Sequence, residues 1–549
     1  MTQSLKIDVL ISKAKWREYQ HKNNKIYIIG FFYDFQDKQV LQKLNIFKKN
    51  EFIKFLKKLD GNFSIIIQRK ELALVIADRI NSYPLTYAKA NNTLYISDNG
   101  QKLVRKLKLN ENDVDYKVTS SFAMSGYTTY NNTIYKNLKS LLPGQFILIE
   151  KNNFSCAHYY NWEPWKKLKN NNFKADKIFH LNDKVIKKLI NSCHGRQIIL
   201  PLSAGWDSRF VASGLKHFNY KNVVCVTYGR KNSNDMKIAK QVATTLGFKW
   251  IPIEYNKNKI REVYNSKKYK LYKSYCDNLN AIHFMGEYLM LSEIKKNKCI
   301  KKNAIFVNGQ SGDFISGNHI PFKINNNTNS IELILEEYVL KHNKYWKALL
   351  VEKNIKTIKN QLKNQIFKIL GKKNLTEKDI KNYGLYETLE FYNRQIKYVI
   401  NGVRNYEFFN FEWRMPLWDY EYMQYWEKAP FNKKFQQNYF KSTIKKTNWG
   451  NVWNDININP NKGIIWYMRV IRLILKIPFF FLGKKKWYSF ERKYIEYFLD
   501  DLYNYSPWSY RKILFDKREH YSSISWYIAE YLEEKKIHWD GEKSHQNKE

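Results

Sequence analysis

The chain has 549 residues, enough for two or three domains that each bury a core of their own. Its formal net charge of +44 is spread along the whole length, so the surface would attract polyanions, whether nucleic acid, acidic lipid head groups or anionic sugar precursors, with a membrane surface ahead of nucleic acid; a plainly solvated, lysine-rich surface is the competing reading. The five cysteines, Cys156, Cys193, Cys225, Cys276 and Cys299, are widely spaced, which argues against a zinc or iron–sulfur site and for a reducing cytoplasm, and no charged start followed by a long apolar core marks a secretory leader.

Taken in chain order, the first stretch reads as short strands and turns, around Gly61-Asn62-Phe63-Ser64, Ala77-Asp78-Arg79, Tyr83-Pro84-Leu85, Tyr95-Ile96-Ser97-Asp98 and Leu142-Pro143-Gly144. A boundary is expected near Asn161 to Asn172, where Trp162-Glu163-Pro164-Trp165 gives way to lysines and asparagines. Ile178, Phe179, Leu181, Val185, Ile186, Leu189 and Ile190 then recur at helical spacing. The apolar runs Gln197 to Leu202 and Val223 to Thr227, split by helix-like Arg209 to Lys216, alternate as in a parallel α/β sheet. Asp235 leads a further helix ending at Leu246-Gly247, and Ala304 to Val307 is another short apolar run. Lys323 to Ser330 reads as an exposed loop, and the chain from Ile331 onward as mostly helical.

Two turns carry chemistry. Ser203-Ala204-Gly205-Trp206-Asp207-Ser208 follows a strand and precedes a helix, so its N–H groups and hydroxyls converge at the positive end of a helix dipole, which suits a phosphate chain. Asp207 beside that anion site reads as a magnesium ligand. Asn308-Gly309-Gln310-Ser311-Gly312-Asp313 also follows a short strand, and in a parallel sheet both turns face the same edge, so Asp207 and Asp313 could share one magnesium ion. Against this stand an ordinary N-cap for the first turn and a plain loop for the second.

The Ser203 to Ser208 turn resembles the pyrophosphate-binding loop of the asparagine synthetase family, usually Ser-Gly-Gly-x-Asp-Ser, with Ala204 in place of the first glycine. Asn308 to Asp313 resembles that family's second glycine-rich acidic turn, Arg414-Met415-Pro416-Leu417-Trp418-Asp419 its Arg-x-Pro-Phe-Leu-Asp, and Asn459-Pro460-Asn461-Lys462-Gly463 its lysine loop, all in family order. The N-terminal stretch resembles the family's glutamine-hydrolysing half. That chemistry needs a cysteine at the mature N-terminus, whereas here Met1 is followed by Thr2 and the first cysteine is Cys156, so a degenerate glutaminase domain is expected, with Thr2 as an N-terminal nucleophile the alternative.

The resemblance implies an α/β fold in two parts. Residues 1–160 would form an N-terminal nucleophile-type α/β sandwich, and residues 173–549 a parallel-sheet, adenine-nucleotide α-hydrolase-like (PP-loop) synthetase domain with a helical C-terminal part. It implies ATP and Mg²⁺ as cofactors, adenylation of a small-molecule carboxylate, and transfer of an amine or of ammonia, the latter from solution or from a separate glutaminase. Ser203, Gly205 and Ser208 would hold pyrophosphate, Asp207 and Asp313 the metal, Leu202, Thr227, Asn308 and Gly309 the adenosine side, and Lys462 would be the catalytic cation.

Gln310 and Phe314 stand where asparagine synthetases carry glutamates, so the substrate need not be aspartate; a surface-polysaccharide precursor is one candidate, and Glu387 or Glu390, on a helix-like stretch, are either candidate replacement bases or plain solvated helix-surface glutamates. A PP-loop RNA-modifying protein and a catalytically silent scaffold are the alternatives. The stretch Ile464 to Trp487, apolar but interrupted by Arg469, Arg472, Lys476 and Pro478 and followed by Lys484-Lys485-Lys486, leaves two readings open. One is a core helix; the other is an interfacial helix on an anionic inner membrane face.

Overall fold

The computed structural model describes residues 5–21, 24–45, 49–69, 72–150, 153–167, 173–325, 330–371, 380–458, 466–499 and 508–539. Among the described residues, ten strands precede residue 160: β1 (Lys6–Leu10), β2 (Arg17–His21), β3 (Asn24–Phe32), β4 (Gly61–Gln68), β5 (Leu72–Ala77), β6 (Thr86–Ala90), β7 (Thr93–Ser97), β8 (Lys139–Ser140), β9 (Gln145–Glu150) and β10 (Asn153–His158). They form a four-stranded sheet in the order β1-β7-β6-β8 and a six-stranded sheet in the order β10-β9-β5-β4-β3-β2.

Period-two alternation in the six-stranded sheet explains why it lies between two layers. Phe63, Ile65 and Ile67 of β4, Leu74 and Ile76 of β5, and Phe146 and Leu148 of β9 pack with Val40, Leu44, Phe52 and Leu56 of the helices Asp37–Asn45 and Lys49–Lys58. Their neighbours Ile66, Val75, Ile147 and Ile149 point the other way and meet Leu94 and Ile96 of β7. Each such fully buried aliphatic side chain contributes about 1.5–3 kcal/mol relative to exposure. The result is the α/β sandwich expected from the sequence.

The third sheet is fully parallel. Its strands β11 (Ile198–Pro201), β12 (Val223–Gly229), β13 (Lys249–Glu254), β14 (Ile305–Val307) and β15 (Glu412–Arg414) lie in the order β13-β12-β11-β14-β15. The chain therefore winds outward from β11 in one direction and then resumes on its other side at β14. That reversal opens a crevice beyond the carboxyl ends of β11 and β14, where open α/β sheets bind ligands.

Two local expectations need correction, and a third holds with one addition. The helix after β11 runs Trp206–His217 and so begins three residues before Arg209, which puts Asp207 and Ser208 inside its first turn. In the expected loop Lys323 to Ser330, Ile324 is fully buried and anchors the chain, while residues 326–329 lie outside the described residues. The region after Ile331 is mostly helical but also supplies β15, a three-residue strand too short to show a period of its own.

β15 also ties the sandwich to the parallel sheet. The Trp413 ring stacks on Tyr83 at 5.4 Å, and the Arg414 guanidinium lies 3.7 Å from the centre of the Phe31 ring. Nearby, the Lys188 ammonium bridges the carboxylates of Asp60, from the sandwich, and Asp419, at 2.6 Å from the latter. Asp419 in turn accepts the N–H groups of Glu421 and Tyr422 and caps the helix Tyr420–Lys428. Arg414 and Asp419 thus serve architecture.

Candidate functional site

The turn after β11 is held by its own hydroxyls. Ser203 N–H donates to Ser208 Oγ at 3.1 Å, Gly205 N–H donates to Ser203 Oγ at 3.2 Å, and Ala204 N–H donates to the Asp235 carboxylate at 2.8 Å. Gly205 caps the helix Trp206–His217 without any side-chain hydrogen bond, so the first-turn amides of that helix meet the crevice with no intrinsic cap. That is the arrangement an anion completes.

From behind, buried Arg209 clamps the turn. Its guanidinium donates to the carbonyls of Ala204 at 3.2 Å, Val452 at 2.9 Å, Ile456 at 3.0 Å and Asn457 at 2.6 Å. Burial lowers its pKa to about 10, and the four carbonyls are what it receives in exchange for water.

The turn after β14 packs directly against the first. A Cβ on Gly309 would sit 2.9 Å from the Asp207 carbonyl carbon, and one on Gly312 would sit 2.7 Å from Asp207 Cγ, so both positions need glycine for the close approach. Asp313 N–H donates to Asp207 Oδ2 at 2.9 Å, while Asp207 Oδ1 is buried with no hydrogen-bond partner. Burial, reinforced by the Asp313 charge, pushes the Asp207 carboxyl well above the usual carboxylate range. An orphaned, desolvated oxygen beside a second carboxylate calls for a cation.

Among the described residues no group of three His, Cys, Asp or Glu side chains is arranged to hold a metal on protein ligands alone. Two carboxylates, with phosphate oxygens and water completing the shell, is the usual setting for magnesium, so the residues present fit it.

Behind Asp313 stands a chain of charges that the sequence reading did not identify. His319 Nε2–H donates to Asp313 Oδ2 at 3.0 Å, and its Nδ1–H donates to Glu390. Burial opposes charge on this imidazole, but the Glu390 and Asp313 carboxylates prevail and lift its pKa to about 9. Burial likewise opposes ionisation of Asp313 and Glu390. The positive His319 outweighs it, holding Asp313 below and, with His342, Glu390 well below the ordinary range. Gly317, at φ +96°, makes the turn that returns His319 to Asp313.

Neither candidate replacement base is the solvated helix-surface residue its sequence context suggested. Glu387 is fully buried and paired with Lys434 at 2.7 Å, and Glu390 is fully buried behind His319. Neither lines the cleft. Gln310, at the position where an acid was expected, donates from Nε2 to the Val399 carbonyl at 3.0 Å.

The cleft between these turns encloses about 750 Å³, within the range that holds a small-molecule ligand. Leu202, Ser203, Gly205, Asp207, Ser208, Thr227, Asn308, Gly309 and Asp313 all line it. Lys462 and its loop 459–465 lie outside the described residues, as does Thr2. Also on the wall, and absent from the sequence reading, are Glu287, His319, Arg394, Gln395 and Tyr398.

The last three come from a π-helical stretch, Phe391–Val399, a form of helix that concentrates at functional sites. Gln395 links the two networks: it accepts from Ser311 Oγ and donates to Glu390, both at 3.0 Å. Glu287 accepts from the Asn308 side chain at 3.2 Å, and burial raises its pKa to about 7. Of these, only His319 left a usable trace in the sequence, a histidine one glycine turn beyond an acidic loop.

Residues 37–160 match the glutamine amidotransferase domain family, and residues 196–448 match the asparagine synthase family. No curated protein matches the chain. Among solved structures, the glutamine phosphoribosylpyrophosphate amidotransferase from B. subtilis complexed with ADP and GMP is similar at 11% identity and a TM-score of 0.20, over 53% of this chain and 62% of that one. A structure described as the allosteric regulatory enzyme of purine biosynthesis is similar at 10% identity and a TM-score of 0.18, over 42% of this chain and 61% of that one. The chain thus spans about three fifths of the length of these two solved chains.

Proposed function

Because the chain belongs to the asparagine synthetase-like family, we propose that it is an ATP-dependent, AMP-forming amide ligase acting in the cleft between β11 and β14. The observation that carries this reading is the packing of two acidic turns at the switch point, with Asp207 and Asp313 joined at 2.9 Å and one Asp207 oxygen left without a partner. We assign residues 1–160 to the amidotransferase-like domain and 173–549 to the synthetase domain.

In the first step, an oxygen of the substrate carboxylate attacks the α-phosphorus of ATP. The bond to the bridging oxygen of the β-phosphate breaks, giving an acyl-adenylate and pyrophosphate. Ser203, Gly205, Ser208 and the first-turn amides of the helix Trp206–His217 hold the departing pyrophosphate, and Leu202, Thr227, Asn308 and Gly309 flank the adenosine. Asp207 and Asp313 would hold magnesium, which would supply positive charge to neutralise the leaving group. In the second step, an amine nitrogen attacks the acyl carbon, the carbon–oxygen bond to AMP breaks, and the amine loses a proton.

We assign Lys462 as the cation beside the transferring phosphate; the Arg209 clamp supports this, since it holds Val452, Ile456 and Asn457, just upstream of that loop, against Ala204. The nitrogen comes from free ammonia, a substrate amine or a separate glutaminase. The substrate class we favour is a sugar carboxylate bound for a surface polysaccharide, because Gln310 replaces the acid that an aspartate-specific site carries. The reaction would take place in the cytoplasm, where ATP is supplied.

The test is exchange of labelled pyrophosphate into ATP across a panel of carboxylates that includes aspartate and uronic-acid sugar nucleotides. Exchange that depends on one carboxylate supports the proposal and names the substrate. Carboxylate-independent ATP hydrolysis to ADP, or no exchange with any member while ATP still binds, would overturn it.

A further inference from the structure

Beyond the synthase-matched region, the chain turns an apolar face outward. The helix Trp466–Lys476 buries only Met468, which joins Trp487 and Ile495 in a small core separate from the main one. At 100° per residue, Trp466, Val470, Leu473 and Ile474 share the opposite side, and they are exposed, Leu473 at 68%. The following turn, Phe479–Leu482, continues this face with Phe480 and Phe481 at 86% and 87% exposure. So large a contiguous apolar patch on a protein surface marks an interaction site.

Cations border the patch. Arg469 and Lys476 lie along one flank of the helix and are exposed, and Lys484, Lys485 and Lys486, all exposed, follow Phe481 and Leu482 after the single residue Gly483. Arg472, on the same flank, pairs with Glu491 and so braces the helix against the helix Lys484–Tyr494. No described helix is long and apolar enough to cross a membrane, and this one has 11 residues. It is therefore suited to lie in the plane of an interface.

We propose that the Trp466–Lys486 surface docks the protein on an anionic phospholipid membrane, with Phe480 and Phe481 entering the acyl boundary and the lysines meeting lipid phosphates. Charge selects this occupant among the alternatives. A second copy of the chain would set the same lysines against one another in a molecule of net charge +44. A nucleic acid would satisfy the lysines but leave aliphatic Leu473, Ile474 and Ile477 in contact with a polar backbone. An anionic bilayer satisfies both the apolar face and the cations. The inference is independent of the ligase chemistry.

The experiment is co-sedimentation of the full chain with phosphatidylglycerol-containing and with pure phosphatidylcholine vesicles, at low and high salt. We expect at least tenfold tighter binding to the anionic vesicles, weakening as salt rises. The double variant F480D/F481D and the triple variant K484E/K485E/K486E should each lose at least tenfold in binding, with circular dichroism and melting temperature unchanged. Because Phe480 and Phe481 are nearly fully exposed, the double variant probes the surface without opening a core. Equal binding to both vesicle types, or wild-type binding by both variants, would overturn the proposal. So would a dimer that F480D/F481D dissolves, or single-stranded RNA binding that the aspartates abolish while vesicle binding stays intact.

Discussion

Asp207 accepts the backbone N–H of Asp313 at 2.9 Å across 106 positions of sequence, so the two acidic turns are one structural unit. Asp207→Asn keeps an oxygen to accept that N–H but removes a charge, and Asp313→Asn removes the other. Each variant should lose about 10²-fold or more of pyrophosphate exchange. The folded chain favours the protonated form of Asp207, so its stability falls as pH rises from the unfolded to the raised folded pKa. Asp207→Asn removes that loss and should melt no lower than wild type at neutral pH. Wild-type exchange by both variants would show that the metal assignment is wrong.

His319 is a charged bridge between Asp313 and Glu390, and its replacement leaves a fully buried carboxylate without its main counter-charge. His319→Gln should destabilise the protein by about 3 kcal/mol at neutral pH. The sign follows from a folded pKa of about 9 against an ordinary 6.5: the bridge's stability is fully present below 6.5 and is lost as pH rises through 9. The gap between wild type and variant should therefore narrow above that pH. Chemical denaturation at pH 6 and pH 10 measures it, and a gap of constant size would contradict the bridge.

Glu287 tests the cleft wall. Its pKa rises from an ordinary 4.5 to about 7 because it is buried, so wild-type stability should fall by up to about 3 kcal/mol between those pH values. Glu287→Gln removes this loss, so the variant should gain on wild type between pH 5 and pH 8. Parallel denaturation curves at the two pH values decide the matter.

The amidotransferase-like half should not hydrolyse glutamine. Of the five cysteines only Cys156 belongs to the sandwich, where it is exposed on the edge strand β10. Arg79, in one of the turns that resemble a glutaminase, donates to the Lys57 and Leu59 carbonyls at 2.7 and 2.9 Å, and buried Asp78 accepts the Phe63, Ile80 and Ser82 amides. Incubation with glutamine should release no glutamate above background, and ammonium should support whatever amide is formed. Glutamate release abolished by Thr2→Ala would refute this.

The two site turns were legible in the sequence because each is local: a short apolar run, a glycine turn and an acid fall within a dozen residues, and parallel strands bring such turns together. Glu287, Arg394, Gln395 and Tyr398 were not, because their place on the wall depends on packing between segments far apart in the chain and on a helix that departs from the 3.6-residue period. Glu387 and Glu390 looked like surface glutamates because helical sequence alone does not reveal that Lys434 and His319 wait inside. The stretch after Ile464 had the composition of either a core or an interfacial helix; only the direction of its apolar face separates the two, and it points outward.

The widened helix Phe391–Val399 has a consequence for descent. Loss of one codon from this stretch would tend to restore the ordinary 3.6-residue period and so re-aim the side chains within the stretch itself. Depending on where it falls, such a deletion would swing Arg394, Gln395 or Tyr398 off the cleft wall while the two acidic turns, carried by β11 and β14, stayed in place. A lineage could in that way reshape this wall of the cleft without disturbing the two acidic turns, and the number of residues between Glu390 and Ile400 is where such a change would first be visible.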